Sequence, residues 1–520
     1  MGTSSLGRPG YPRAPGGIPG EILPAPLAAW RPAARAASRG ARVRFCGGAL
    51  ILLIAGATPG LRGAPPPLPV APLPQALASA LDAELAAIVS EPGRELASLS
   101  VLALRKGEVV YQRSFGNKWI HPSEPARSRP AEGRTLYRIA SISKLVTTLG
   151  VMRLVEEGRL DLDRDLGEIL GYRFRNPRFP EVPVTLRMLL THTSSLRDDA
   201  GYYWDAQSGA DLKEVFLPGG RLFGEGRMWA GNAAPGTYFQ YANLPWGVVA
   251  TAMERVTGER FDRLMRRLIL DPMGLSGGFH PADFPPGDLA DVATLYRKRR
   301  TENGKEVWDP RGPWMPQVDD HSGGPPAPRA RPDYVPGTNG TLFGPQGNCR
   351  LSAWGLASIL RMLMDGGVWE GRRILRKQSV DEMLKLQWRV APDGANGNSG
   401  GESGFGPHKL FMNAWGLGVQ HFLDLTGQGV GDRLVEPGGF RAVGHLGDAW
   451  GLTSAAVFDP KARTGLIFLI GGSAFDPETH PGHYSAFFRH EEKIMTALYR
   501  RAILQEPAGS GKTAGAPAKN

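Results

Sequence analysis

Ser141 and Lys144 stand three residues apart in the segment Tyr137-Arg-Ile-Ala-Ser-Ile-Ser-Lys144. If a helix begins at Ser141, positions i and i+3 share a face, with Cβ atoms about 5–6 Å apart. The lysine amine then reaches the serine hydroxyl. The first turn of a helix has free backbone N–H groups and the positive end of the dipole, both of which favour an anionic oxygen. A hydroxyl near its ordinary pKa is a weak nucleophile and needs an adjacent base. A lysine can serve if desolvation lowers its pKa toward neutrality. The chemistry would be nucleophilic attack by the serine hydroxyl. The same residues also fit a helix cap followed by a surface lysine, and the spacing alone does not separate the two.

Other chemistry-bearing patterns are weaker. Gly397-Asn-Ser399-Gly-Gly401 matches G-x-S-x-G but has no apolar strand before it, so Ser399 lacks the strand–turn–helix setting of a nucleophile elbow. Gly509-Ser-Gly-Lys-Thr513 resembles a phosphate loop, yet Glu506 stands where that motif needs glycine, and no helix follows. Cys349 has no evident histidine partner nearby and reads as a packed side chain. His480, His483 and His490 lack a recognisable metal-ligand spacing, so neither a metal nor a cofactor is expected. His192 reads as a structural hydrogen-bonding residue.

The elements that must position these residues follow from periodicity. Apolar residues recur at helical spacing over 73–89. Two strands, 99–104 and 109–115, flank a tight turn at Lys106-Gly107. Helices are predicted over 144–157, 186–191, 246–256, 261–270 and 353–364. Residues 275–345 read as irregular, with one hairpin around Asn303-Gly304. Strands are predicted over 415–421, 441–444, 453–458 and 466–470, and a closing helix over 484–504. Strands at both ends of the chain and helices between them argue for an α/β (α+β) fold. Its antiparallel sheet is flanked by helices and carries an inserted, mostly helical lobe. The expected boundaries are a leader and signal over 1–64, a catalytic domain over 65–505 and a tail over 506–520. Within that domain the sheet lobe takes 73–143 and 345–505, and the helical lobe about 144–344.

Composition narrows the class. Of 520 residues 42% are hydrophobic, enough for a large core, and the net charge is +11. Residues 1–64 hold eight arginines against the single acid Glu21, so this segment supplies +7 and leaves the body at +4. No basic stretch interleaved with aromatics appears in the body, which argues against nucleic-acid binding. Arg42-Val43-Arg44 precedes an apolar run from Phe45 to Ala57, too short to span a bilayer and closed by small residues, in the manner of a secretory signal. Translation is expected to start near Val43. Export to the periplasm or medium follows, with no stable membrane span after signal removal. Cys46 would leave with the signal, and Cys349 alone cannot form an intramolecular disulfide.

Several further segments accompany Ser141 in order. They are Val184-Thr-Leu-Arg-Met-Leu-Leu-Thr-His-Thr-Ser-Ser-Leu196, Pro235-Gly-Thr-Tyr-Phe-Gln-Tyr-Ala-Asn243, Asp271-Pro-Met-Gly-Leu275, Gly366-Gly367 and Gly444-His-Leu-Gly447. From about Leu99 to Leu498 the sequence resembles the serine β-lactamase and penicillin-binding family. The resemblance is to the branch holding class C β-lactamases, D-alanyl-D-alanine carboxypeptidases and related esterases. It implies Ser141 as the acylated nucleophile, Lys144 as its proton acceptor and Tyr241 as a proton shuttle. It further implies that Asn243, His445 and Gly447 contact substrate and that the backbone N–H groups of Ser141 and Asp448 form an oxyanion hole. His445-Leu446-Gly447 replaces the family's Lys-Thr-Gly, losing the hydroxyl and a permanent cation. That departure argues against an efficient β-lactamase. It leaves an ester, amide or D-amino-acid peptide as the small-molecule or short-peptide substrate, with a true β-lactamase or carboxypeptidase as the alternative. A non-catalytic relative that binds cell-wall peptide or a protein partner is the alternative from another class.

Overall fold

The computed structural model describes residues 68–303, 305–398, 410–428 and 430–507. Strands β1 (Ser98–Arg105) and β2 (Glu108–Trp119) form the first hairpin, followed by β3 (Arg129–Pro130) and β4 (Tyr137–Arg138). After the helical region come β5 (Leu295–Glu302), β6 (Lys305–Trp308), β7 (Trp314–Val318) and β8 (Arg350–Leu351). The C-terminal part adds β9 (Trp388–Arg389), β10 (Ala414–Trp415), β11 (Gln420–Phe422), β12 (Ala442–Ala449), β13 (Leu452–Asp459), β14 (Thr464–Ile470) and β15 (Gly472–Ser473). Helices around them are α1 (Gln75–Val89), α2 (Ile142–Glu156), α3 (Leu186–Leu190), α4 (Leu244–Thr257), α5 (Phe261–Met265), α6 (Ala353–Met364) and α7 (Arg489–Leu498).

Nine strands make one sheet in the order β9-β10-β11-β12-β13-β14-β1-β2-β3, every neighbouring pair antiparallel. Both faces are covered, and the period-2 alternation of β1 shows how. Leu99, Val101 and Ala103 pack with α1 and α7, while Leu102 and Leu104 pack with α2 and α6 on the other side. The helical insertion begins and ends at the β4–β8 ribbon, where Tyr137 pairs with Leu351 and Arg138 with Arg350. Helix α2 is buried nearly all round, from Ile142 through Met152, as a helix in the middle of a core must be.

Four expectations change. Residues 275–345 are not simply irregular: β5 and β6 form the expected hairpin, β7 pairs with β5, and β15 joins in parallel. The 415–421 run is two strands, because the chain turns at Gly416–Val419 and presses Gly418 (φ +62°) against Thr148 and Trp246. The helix over 261–270 passes into a π turn at Arg266–Leu270. Residues 484–488 are not helical. Buried Glu492 accepts the backbone N–H groups of His483, Tyr484 and Ser485, and the Ser485 hydroxyl, at 2.7–3.1 Å. The chain there wraps around a carboxylate instead of propagating a helix.

Replacing Glu492 by alanine strands those donors in a buried setting. Denaturant unfolding of Glu492→Ala is expected to show a loss of about 3–5 kcal/mol. A change under about 1 kcal/mol would mean that the wrap does not depend on this carboxylate.

Candidate active site

Helix α2 starts just after Ser141, and the preceding residue, Ala140, adopts φ +45°. A left-handed non-glycine residue is costly and persists only where its surroundings enforce it. Two interactions do so: the Ile139 N–H donates to the Cys349 carbonyl at 2.9 Å, and the Cys349 N–H donates to Ser143 Oγ at 3.0 Å. Ser143 is thus an anchor. Cys349 is fully buried, with its thiol pushed up to about 12 by desolvation, which suits packing and not nucleophilic attack.

Ser141 makes no side-chain cap bond to the helix. Lys144 is 0% exposed, and its Nζ lies 2.9 Å from Ser141 Oγ, 2.8 Å from Asn243 Oδ1 and 3.3 Å from the Gln346 carbonyl. These two facts exclude the cap-plus-surface-lysine reading that spacing left open. Nζ also sits 4.8 Å from the centroid of the Tyr241 ring, where the negative face of the π system attracts an ammonium.

Asn243 begins α4 and is held by Asp198, a residue the motif analysis did not single out. Asp198 accepts the Asn243 side-chain amide at 3.0 Å and the N–H groups of Asn243 and Leu244 at 2.8–2.9 Å. Desolvation pushes its carboxyl upward, and those three donors with the nearby Lys144 oppose the shift. Its signal was its place two residues beyond Leu196. His192 stacks on Tyr241 at 4.5 Å and accepts the Ala242 N–H at Nδ1, so it positions the Tyr-x-Asn segment. Burial and the charge of Lys144 hold His192 neutral.

Strand β12 passes beside Ala140. A Cβ on Gly447 would lie 2.5 Å from the Ile139 carbonyl oxygen and 3.3 Å from Ala140 Cβ. The glycine therefore permits close approach of the strand to the Ile139–Ser141 turn itself, beyond the substrate approach expected from it. His445 is 3% exposed, and its Nδ1 is 2.6 Å from the Leu446 carbonyl, so Nδ1 carries the hydrogen and Nε2 keeps its lone pair. Desolvation, then the charge of Lys144, pushes His445 down to about 3. Asp448 does not raise it, because three residues along a strand place the two side chains on opposite faces. The Asp448 side chain itself is exposed.

Ser399, the Gly509–Thr513 motif, Cys46 and the apolar run over 45–57 lie outside the described residues. Among the described residues, His480, His483 and His490 are not gathered into a ligand set. The group that does converge is Asp262, His280 and Asp283, with ligand atoms within 4.8 Å of one another. Arg260 already bonds both carboxylates at 2.5–2.8 Å, which makes this an ion-pair cluster.

The sequence profile of the beta-lactamase family matches residues 81–486. The chain belongs to this family. Among family relatives it is 32% identical over 209 residues to esterase EstB of Burkholderia gladioli, covering 38% of this chain and 51% of the esterase. It is 28% identical over 171 residues to the D-alanyl-D-alanine-carboxypeptidase/endopeptidase AmpH of Escherichia coli (strain K12), covering 31% of this chain and 40% of AmpH. The chain thus spans about half or less of these curated relatives. Its fold is similar to that of D-amino acid amidase from Ochrobactrum anthropi SV3, with a TM-score of 0.54 and 19% identity, covering 83% of this chain and 99% of the amidase. No helix among the described residues is long and apolar enough to cross a membrane.

Gly447→Ala is expected to push β12 away from the Ile139–Ser141 turn and lower hydrolysis of a p-nitrophenyl ester about 10²-fold, the scale of losing one oxyanion donor. Wild-type rates in a protein with an unchanged melting curve would show that the strand can retreat without consequence.

Proposed function

We propose that the protein is a serine hydrolase that cleaves an ester or amide through an acyl-enzyme on Ser141. The observation that carries this reading is the 2.9 Å contact between a fully buried lysine amine and a serine hydroxyl not used as a helix cap. In this reading Ser141 Oγ attacks the carbonyl carbon and its proton passes to Lys144 in its neutral amine form, which thereby becomes the charged ammonium. The tetrahedral oxyanion rests on the N–H groups of Ser141 and Asp448. Tyr241 returns a proton to the leaving group, helped by the neighbouring lysine charge, which favours a phenolate. Water then releases the acid from Ser141 by the reverse sequence. Asn243 holds Lys144 on one side, and its amide is turned away onto Asp198.

Among substrates, neutral esters and amides suit β12 better than β-lactams do. A charge-assisted bond to a ring carboxylate needs a cation, and at neutral pH His445 is an uncharged imidazole followed by leucine. The relatives named an esterase, a carboxypeptidase and an amidase agree with this range of acyl substrates. Export belongs to the same reading: the Arg42–Ala57 pattern predicts a mature terminus between Thr58 and Pro65, checked by N-terminal sequencing of the periplasmic fraction after bacterial expression. An intact Met1 in the cytoplasm would overturn it.

Ser141→Ala is expected to cost on the order of 10⁶ in kcat for p-nitrophenyl esters, the scale seen when the nucleophile of a serine hydrolase is lost, with the fold retained. Undiminished turnover by that variant would contradict the assignment.

A further inference from the structure

An asparagine at the N-cap of a helix ordinarily spends its side-chain oxygen on the free N–H groups of the first turn. Asn243 occupies that position on α4 and makes no such bond. Pro245 follows close behind and has no N–H, so the donors at this helix end are led by Asn243 and Leu244. Asp198, from a separate segment of the chain, accepts both at 2.8–2.9 Å. It caps the helix in place of Asn243 and leaves the Asn243 side chain for other work. The same carboxylate accepts from Asn243 Nδ2 at 3.0 Å. An ionised carboxylate can only accept. The amide therefore has one orientation, with Nδ2 on Asp198 and Oδ1 facing Lys144 Nζ at 2.8 Å.

That orientation decides how Lys144 can act. A neutral amine has two N–H groups and one lone pair. Asn243 Oδ1 and the Gln346 carbonyl, at 2.8 and 3.3 Å, can only accept, and so they draw N–H groups. The Ser141 hydroxyl, at 2.9 Å, can donate, and the lone pair falls to it. A reversed amide would present N–H donors to Nζ and compete with Ser141 for that lone pair. After proton transfer it would set those donors against an ammonium, whereas an acceptor there favours the charged form. The other titratable groups around Lys144 are Tyr241, with its ring centroid 4.8 Å from Nζ, and the neutral His192 and His445. Asp198 supplies a negative charge from behind Asn243.

We propose that Asp198 is a positioning residue for acyl transfer, which holds the Asn243 amide in one orientation and so keeps the lone pair of Lys144 for Ser141. This rests on Ser141 being the acylated residue and Lys144 its base. The role is distinct from that of a stabilising cap. A cap acts through the backbone N–H groups of α4, whereas this effect passes through the Asn243 side chain and is lost with it.

The test compares the full-length protein with Asp198→Asn, Asn243→Ala, the two combined, and a swap that joins Asp198→Asn to Asn243→Asp. Three quantities are read: the pH profile of kcat/KM for 4-nitrophenyl acetate, the melting temperature, and the rate and site of fluorophosphonate labelling. In Asp198→Asn the new amide turns its own donor toward Asn243 and reverses it. There kcat is expected to fall about tenfold to hundredfold with KM little changed, and the acid limb of the profile to move to lower pH. In the Asn243→Ala background the same substitution is expected to change kcat by less than about threefold. The swap restores an acceptor-only group beside Lys144, so it is expected to be faster than Asp198→Asn. Its acid limb is expected above that of the wild type, because a carboxylate favours the ammonium. An unmoved limb in a folded Asp198→Asn, or an equal loss without the Asn243 side chain, overturns the positioning role. A swap whose limb lies at or below the wild type does so too, whether or not the single variant folds. A label on another serine overturns the nucleophile reading and this proposal with it, whereas a label on Ser141 whose rate ignores Asp198 overturns the positioning role alone.

Discussion

A lysine amine fully removed from water and held 2.9 Å from a serine hydroxyl is the constraint around which the rest of the molecule is arranged. An amine in that position must have acceptors, and they come from distant parts of the chain: Asn243 at the head of α4 and the Gln346 carbonyl before β8. Asn243 in turn is fixed by Asp198, and the 346–350 segment by Arg138, Ser143 and the β4–β8 ribbon. The core helix α2 carries Lys144 into the region where the helical insertion meets the sheet. Strand β12 closes the arrangement, brought against the Ile139–Ser141 turn by the absence of a side chain at 447.

The electrostatic character of the site follows from burial. His192 and His445 both lie near the charge of Lys144, and both are kept neutral by desolvation reinforced by that charge. With Tyr241 and Trp415 they make a wall of rings that carries no formal charge.

Legibility in the sequence differed by the range of the interaction involved. The hairpin at Lys106-Gly107, α1, α6 and the late strands could be read because alternation and helical spacing are local. The convergence of Lys144 with Ser141, Asn243 and Tyr241 was legible through motif context. Spacing alone could not decide between a helix cap and a reactive pair, since burial of Lys144 is a tertiary fact. Asp198 was missed because its role is to hold Asn243, forty-five residues away in sequence. The 484–488 segment read as helix because Glu492, which bends it, acts through backbone groups that leave no mark on periodicity. The β5–β7 strands were underestimated because Arg, Lys and Glu dominate a partly exposed sheet, and such strands lack strict apolar alternation.

Covalent capture tests the central claim most directly. The intact protein is treated with a fluorophosphonate, and the adduct is located by peptide mass mapping, in the wild type, Ser141→Ala and Lys144→Met. The account predicts one adduct, on the peptide bearing Ser141, absent from Ser141→Ala and much slower to form in Lys144→Met. An adduct on another serine such as Ser399, or labelling of Ser141 at the wild-type rate without Lys144, would contradict it.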